Sequence, residues 1–359
     1  MMTETTWQTH AAALAATIAQ EVNLSEAWRA AFEQTPRHRF VPDVAEDQAY
    51  EDASIVIKTI HIGGFDWPVS SSTRPSLMAY MLEALQLQEG MTVLEIGTGT
   101  GYNAALLCNR LGDDALVASV DLDAELVDAA RARLDALGLH PTLTALDGRN
   151  TTTLGQTFDR IIATAGARRI PPAWGSQLNE DGRLVADVGG GTCPRIATLT
   201  RQPNGDLRGR LHTRPGWFMP MRPNAAHPHE HPGISPTPID QDHAIETTTL
   251  TALQDLAENE GLAFAINWYM QPEMITDLPA DSGHGPGSLI TFTDGSWVET
   301  TKTSTRYSGP NPHLNDLAQL ATAWRELGKP GSDDLRLTVT PDGAHTLSAY
   351  GYECLWQND

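Results

Sequence analysis

Apolar and polar positions divide the chain into readable segments. Trp7, Ala11, Leu14, Ile18 and Val22 recur at helical spacing, and Asn23-Leu24-Ser25 interrupts the run. A second helix follows, with Ser25 as its cap and Trp28 and Phe32 on its buried face. Prolines at 36 and 42 and the pair Gly63-Gly64 punctuate the next stretch. An amphipathic helix over 77–85 takes Pro75 in its first turn, with Thr73 or Arg74 at the cap. Short apolar runs then alternate with helical ones. Strands are expected at 93–96, 116–120, 142–146, 158–163 and 183–188, helices at 102–107, 124–138 and 174–178. A hairpin joins 195–200 to 207–212 about Asn204-Gly205. The expected fold class is α/β: a doubly wound sheet with amino-terminal helices and an antiparallel finish.

The pattern changes after 214. Residues 215–245 are rich in proline and histidine, with His227, His229 and His231 close together. Prolines scatter side-chain directions and no second ligand cluster exists, so a solvated linker is expected and no metal site. A smaller α+β module is expected over 246–359. It has a helix at 250–260, strand-like runs at 262–268 and 289–292, a helix at 314–327, and a closing hairpin of 335–339 with 346–348. Nothing in this module has a catalytic pattern, which suggests recognition of a partner.

Candidate chemistry concentrates at Val93-Leu-Glu-Ile-Gly97-Thr-Gly99-Thr-Gly101. A strand leads into a three-glycine turn and then a helix, the arrangement by which a parallel sheet presents a nucleotide site. Glycine tolerates positive φ and lets a ligand approach the backbone. Glu95 precedes the turn, and Asp121 ends the next strand, where an acid can hold ribose hydroxyls. The absence of a glycine at the sixth position fits a nucleoside without phosphate, such as S-adenosylmethionine, better than a dinucleotide. Both stay open on these residues alone. A second candidate is the hydroxyl-rich stretch Ser70–Ser76, which feeds a helix N-terminus. It reads either as ordinary capping or as an anion site.

Composition narrows the partners. The chain has 359 residues, 40% of them hydrophobic, enough for a large core. No apolar run approaches the roughly 18 residues of a membrane-spanning helix, and the first residues lack a signal-peptide core. A cytoplasmic protein is expected. The net charge of −21 repels nucleic acid and anionic lipid. Cys108, Cys193 and Cys354 lie far apart, which argues against a disulfide framework or a structural zinc.

Taken together, residues 1–214 resemble the protein-L-isoaspartate O-methyltransferases. The resemblance rests on Pro36-Arg37 with Phe40-Val41-Pro42, on Tyr50 and Asp52, and on Ser72-Thr73-Arg74-Pro75. It extends through the run from Val93 to Tyr102, Asp147-Gly148, the run from Phe158 to Ala165, Ile170-Pro171 and the run from Gly182 to Val185. It implies a class I methyltransferase fold with S-adenosylmethionine held by Ser71, Glu95, Ile96, Gly97, Thr98, Gly99, Gly101, Asp121, Leu122, Asp147, Gly148 and Thr164. It implies that Thr73, with Ser72 beside it, faces the reacting carboxylate; the fork-shaped guanidinium of Arg74 is expected, on its own chemistry, to hold a second carboxylate or a peptide carbonyl. The partner is then a peptide or protein carrying aspartate or isoaspartate. The chain departs from the family's usual form in its extra length, in Arg74, and in Asp187, which stands where a proline is common. The extended form resembles methyltransferases of ribosomally made peptide pathways, the lanthipeptide kind among them. These esterify an aspartate that then closes to a succinimide. Repair of isoaspartate in damaged proteins is the alternative.

Overall fold

The computed structural model describes residues 6–62, 64–222, 259–278, 286–309 and 311–349, with short pieces at 225, 245–247, 253, 256 and 356–358. Helices α1 (Trp7–Glu21), α2 (Glu26–Gln34) and α3 (Glu46–Ala49) open the chain. A hairpin of β1 (Ile55–Ile62) and β2 (Phe65–Ser72) follows, and then α4 (Pro75–Leu85). The alternating region runs β3 (Val93–Ile96), α5 (Tyr102–Leu111), β4 (Val117–Asp121), α6 (Ala124–Asp135), β5 (Thr142–Ala145), β6 (Phe158–Ala167), α7 (Pro172–Gln177) and β7 (Leu178–Val188). It closes with the expected hairpin of β8 (Arg195–Arg201) and β9 (Leu207–Leu211). Ser70, Ser71 and Ser72 therefore end strand β2, and only Thr73 and Arg74 separate it from α4, which begins at Pro75.

The strands β3 to β7 are parallel to one another, and β8 and β9 add on antiparallel. The order reverses at β3, which has β4 on one side and β6 on the other. At such a switch point the two chain connections leave in opposite directions and a crevice opens at the carboxyl ends. Both faces of the sheet are covered, so the apolar residues of its central strands divide between two cores. Val93, Ile162 and Val185 face a cluster with Leu14, Ile18, Phe32, Met81 and Leu106 from the amino-terminal and α5 helices. Leu94, Ile161 and Leu184 face the other cluster.

The remaining strands are β10 (Ile245–Thr247), β11 (Met274–Leu278), β12 (Gly287–Thr291), β13 (Trp297–Thr301), β14 (Thr305–Ser308), β15 (Leu335–Val339), β16 (His345–Ala349) and β17 (Trp356–Asn358). Helices α8 (Glu260–Met270) and α9 (Asn311–Glu326) accompany them. Strands β10 to β14 form a separate antiparallel sheet. Strands β15, β16 and β17 do not belong to it: β15 pairs with β9, giving the large sheet ten strands. The carboxyl-terminal residues also share a core with that sheet. Phe264, Trp268, Leu317 and Trp324 sit in one cluster with Leu94, Ile161, Trp174 and Leu184.

Two expectations meet a different structure here. The run 262–268 is helix α8, not strand. Asn259 caps it by accepting the N–H of Leu262 at 3.0 Å, and Gln271 ends it in a left-handed conformation. Leu262, Phe264, Ile266 and Trp268 alternate with small residues, which mimics a strand. Ala265 and Asn267 are buried as well, so no exposed polar stripe marks the helical period. The expected hairpin at 335–348 forms, but as part of the large sheet. The helix expected at 250–260 and the three clustered histidines lie almost wholly outside the described residues. Among the described residues no helix is long and apolar enough to cross a membrane, and no cluster of metal-ligating side chains occurs.

Candidate functional site

A cleft of about 990 Å³, open to solvent, lies at the carboxyl ends of β3, β4 and β6. It is lined by Ser71, Ser72 and Thr73 from the hairpin end, by Glu95 to Thr100 from the Gly-rich turn, and by Asp121, Leu122, Asp147, Gly148 and Thr164. The structure thus gathers nearly every expected residue in one place. Gly101 and Arg74 do not line it.

The Gly-rich turn needs its glycines for conformation and space. Gly97, Gly99 and Gly101 have φ of 104°, 50° and 86°. A Cβ on Gly97 would stand 2.8 Å from Oγ1 of Thr164, and one on Gly101 would stand 3.0 Å from Cβ of Ala130. Gly101 therefore serves the packing of α5 on α6. The Thr164 hydroxyl reaches the carbonyl oxygens of Ile96 and Gly97 at 3.1 and 2.8 Å, which ties β6 to the turn. The N–H groups of Gly97 and Thr98 donate to the Val120 carbonyl.

Glu95 is fully buried behind this turn. Its carboxyl accepts from Asn103 Nδ2 at 2.7 Å and from the Ser119 hydroxyl at 2.6 Å. Ser119 also meets the Thr98 hydroxyl at 2.7 Å. Glu95 is a fastening between β3, β4 and α5, and burial pushes its pKa up to about 7. Asp121 accepts the N–H of Gly99 at 2.9 Å and of Asp123 at 3.0 Å, with burial raising its pKa. Asp147 is gripped by Arg149, whose Nη2 lies 2.7 Å from Oδ2, and this holds its carboxyl below the usual range. Gly148 has no room for a side chain: a Cβ there would come within 2.5 Å of Ile96. Its carbonyl accepts from Trp174 Nε1 at 2.7 Å.

The set fits a nucleoside with a charged tail. Acids stand at the ends of β4 and β5, and glycine backbone faces the space between them. Three polar atoms of cleft residues, Ser72 Oγ, Tyr102 Oη and Asn103 Oδ1, are buried without any protein partner. Buried polar groups are nearly always hydrogen-bonded, and Ser72 Oγ, at the end of β2 beside the Gly-rich turn, is the one placed among the candidate substrate residues. A phosphate would be poorly received, because Asp121, Asp147 and the buried Glu95 crowd the site with acid.

The hydroxyl stretch is held by a buried guanidinium. Arg37 is fully buried and donates to the carbonyl oxygens of Ala49, Glu51, Ala53 and Thr73 at 2.9 to 3.2 Å. The N-terminus of α4 is not a free anion site. Asp52 caps it, accepting the Ser76 N–H at 2.7 Å and Arg74 Nε at 2.8 Å. Burial alone would raise the Asp52 pKa, but these donors outweigh it and hold the carboxyl low. Arg74 spends its other arm on Glu21 at 2.6 Å. Nε and Nη2 are thus taken by two side chains of this protein. Thr73 keeps its hydroxyl free of protein partners and half-exposed in the cleft.

One wall was placed in the linker by sequence reasoning. Residues 216–222 run along the end of β6 and contribute Phe218, Met219, Pro220, Met221 and Arg222 to the cleft. The apolar run Gly216-Trp-Phe-Met-Pro-Met221 was the available signal, since a solvated linker has no use for it. Asp187, at the end of β7, is buried against this wall and accepts the Phe218 N–H at 3.1 Å.

A profile of the protein-L-isoaspartate(D-aspartate) O-methyltransferases matches residues 8–222. Over 214 residues the chain is 37% identical to protein-L-isoaspartate O-methyltransferase 2 of Archaeoglobus fulgidus, covering 58% of this chain and 91% of that one. It is 38% identical to the protein-L-isoaspartate O-methyltransferase of Opitutus terrae, over 55% of this chain and 77% of that one. A solved structure of a protein-L-isoaspartate O-methyltransferase superposes with a TM-score of 0.59 at 22% identity. That match covers 94% of this chain and 99% of the other, so the fold is shared into the carboxyl-terminal region.

Proposed function

The chain belongs to the protein-L-isoaspartate(D-aspartate) O-methyltransferase family, enzymes whose methyl donor is S-adenosylmethionine, and on that premise we propose that it esterifies the free carboxylate of isoaspartyl residues in proteins. The observation that carries this reading is the meeting of Ser72 and Thr73 with the Gly-rich turn in one cleft, where Ser72 Oγ is buried without a partner.

S-adenosylmethionine, when bound, supplies an electrophilic methyl group. Asp121, Asp147 and the backbone of 97–99 are the groups that would hold it. A substrate carboxylate is already ionised near neutral pH, so no side chain is required as a general base. What the protein must do is align the carboxylate and exclude water. Thr73 is suited to donate one hydrogen bond to it, which orients the oxygen without neutralising it. Arg37 fixes the Thr73 backbone from behind, and Asp52 fixes the start of α4, so the hydroxyl has little freedom. Because the methyl goes to a carboxylate oxygen with loss of the donor's own C–S bond, no residue of the cleft has a proton to move. The ester is activated toward attack by the next backbone nitrogen: a C–N bond forms, the C–O bond to the methoxy group breaks, and that group leaves as methanol with the amide proton, giving a succinimide without further catalysis.

The peptide-tailoring reading stood chiefly on the extra length. That support weakens, because a solved isoaspartate methyltransferase shares the fold over nearly the whole chain. The test is methyl transfer to an isoaspartyl peptide, followed by mass spectrometry, for the wild type and Thr73→Ala. The substitution is expected to lower turnover by about tenfold or more, the size of one lost charge-assisted hydrogen bond, with cofactor affinity kept. An unchanged rate would remove Thr73 from the reaction.

A further inference from the structure

The wall segment 216–222 carries a side chain that neither the cofactor site nor the core uses. Trp217 is 61% exposed, while Trp28, Trp174, Trp268, Trp297 and Trp324 are all buried. Its φ is +54°, a left-handed conformation that side chains other than glycine, asparagine and aspartate adopt rarely. The fold imposes that conformation from both sides. Before it, Gly216 packs on Asp187 so closely that a Cβ would collide with the carboxyl group. After it, the Phe218 N–H donates to Asp187 Oδ2 at 3.1 Å. The segment is pinned again at β6, where Gly166 N donates to the Met219 carbonyl and Met221 N to the Gly166 carbonyl, both at 2.9 Å. Phe218 and Met219 line the reaction cleft. The ring between two anchored neighbours is therefore aimed away from the protein at the rim of that cleft.

We infer that Trp217 is a specificity-determining residue, an aromatic platform at the cleft rim on which the substrate chain flanking the methylated residue lies. The inference rests on the reading of the substrate as a peptide carboxylate. A glycine at 217 would relieve both the backbone strain and the exposed apolar surface. The ring therefore earns its place through contact with something that binds. Exposed tryptophans on rigid supports are the residues that dominate peptide and protein interfaces. The rim of the reaction cleft decides the occupant, because any chain whose carboxylate reaches Thr73 must leave the cleft past one of its walls. A stacked or apolar contact also suits a protein of net charge −21 whose targets carry an extra carboxylate, since the ring attracts without relying on charge.

The experiment compares the wild type with Trp217→Asn, Trp217→Gly and Trp217→Phe. Asparagine and glycine both accept positive φ, so they remove the ring and keep the wall. Substrates are a capped single isoaspartyl residue and a longer isoaspartyl peptide. Cofactor affinity is measured by calorimetry and assembly state by ultracentrifugation. The expected result is a KM for the longer peptide raised about fivefold or more in Asn and Gly, with kcat and cofactor affinity within about twofold, and recovery in Phe. The KM for the single residue should not move. An unchanged KM for the longer peptide in an active protein would overturn this inference alone. So would a parallel loss of cofactor affinity, which would make the ring part of the cofactor wall. Loss of a dimer with KM unchanged would assign the ring to a second copy and likewise overturn it. A wild type that methylates neither substrate would instead overturn the proposed function from which the inference starts.

Discussion

The two faces of the large sheet make an instructive pair. On one, the amino-terminal and α5 helices bury Leu14, Ile18, Phe32 and Leu106 against Val93, Ile162 and Val185. On the other, residues from the far end of the chain bury Phe264, Trp268, Leu317 and Trp324 against Leu94, Ile161 and Leu184. Both faces are closed by aromatic and aliphatic side chains, the first by helices that precede most of the sheet in the chain and the second partly by residues that follow it. The outermost helices of the first face, α1 and α2, carry 3.6-residue periods and exposed polar faces, while α5 beneath them is buried nearly all round. On the second face α8 is buried around most of its circumference, and β15 finds its partner β9 across more than a hundred residues of intervening chain. Periodicity reports how a segment meets solvent. It does not report which distant strand an edge will accept.

That contrast suggests ways to break it. The largest effect should come from deleting 246–359. If the second face belongs to the catalytic sheet, the truncated chain loses β15 from the β9 edge and half of one core, and should not fold or remain soluble. A truncated chain that unfolds cooperatively in urea and binds cofactor would show two independent units. Next, Trp268→Ala and Phe32→Ala sit on opposite faces. Each should cost about 3–5 kcal/mol, and each should shift one common unfolding transition. Two separate transitions in calorimetry would again divide the molecule.

Smaller changes sharpen the account at the cleft. Gly97→Ala places a methyl against Thr164 at a φ of 104°. Cofactor affinity should fall by about tenfold or more, read by calorimetry, together with a drop in melting temperature from the strained φ. A further test concerns pH. Burial pushes Glu95 and Asp187 up to about 7. In the unfolded chain both lose their protons near pH 4. Between those values the folded chain binds more protons, so stability falls as pH rises, and the penalty is complete above about pH 7. Melting temperature should therefore drop between pH 5 and 8, and Glu95→Gln should flatten the drop. A profile rising over that range would contradict the burial of both groups.

Much of the site was legible in the sequence, because a strand, a positive-φ turn and a helix must be adjacent in the chain to bind a nucleoside. Glu95, Gly97, Gly99 and Asp121 are marked by their spacing, and Asp147-Gly148 by the resemblance to the family. What escaped reading depends on distant partners. Arg74 has the form of a substrate-gripping fork, and its spacing in the chain does not show that Asp52 and Glu21 hold its Nε and Nη2. Arg37 was visible only as part of a pattern, and its four carbonyl acceptors come from separate turns. The wall at 216–222 was hidden by the prolines and histidines that follow it. The apolar residues there have no period because they line a cleft rather than a helix or strand.

The central claim is that this cleft serves an isoaspartyl carboxylate in proteins, with the carboxyl-terminal chain as part of the enzyme's own body. The most direct measurement is kcat/KM of the full chain, with S-adenosylmethionine, on a pair of peptides that differ only in having isoaspartate or aspartate at one position. The account predicts transfer to the isoaspartyl peptide, with the aspartyl peptide slower by about a hundredfold or more, because a carboxylate displaced by one methylene misses the aligned position. Methylation of the aspartyl peptide alone would contradict it and restore the peptide-tailoring reading.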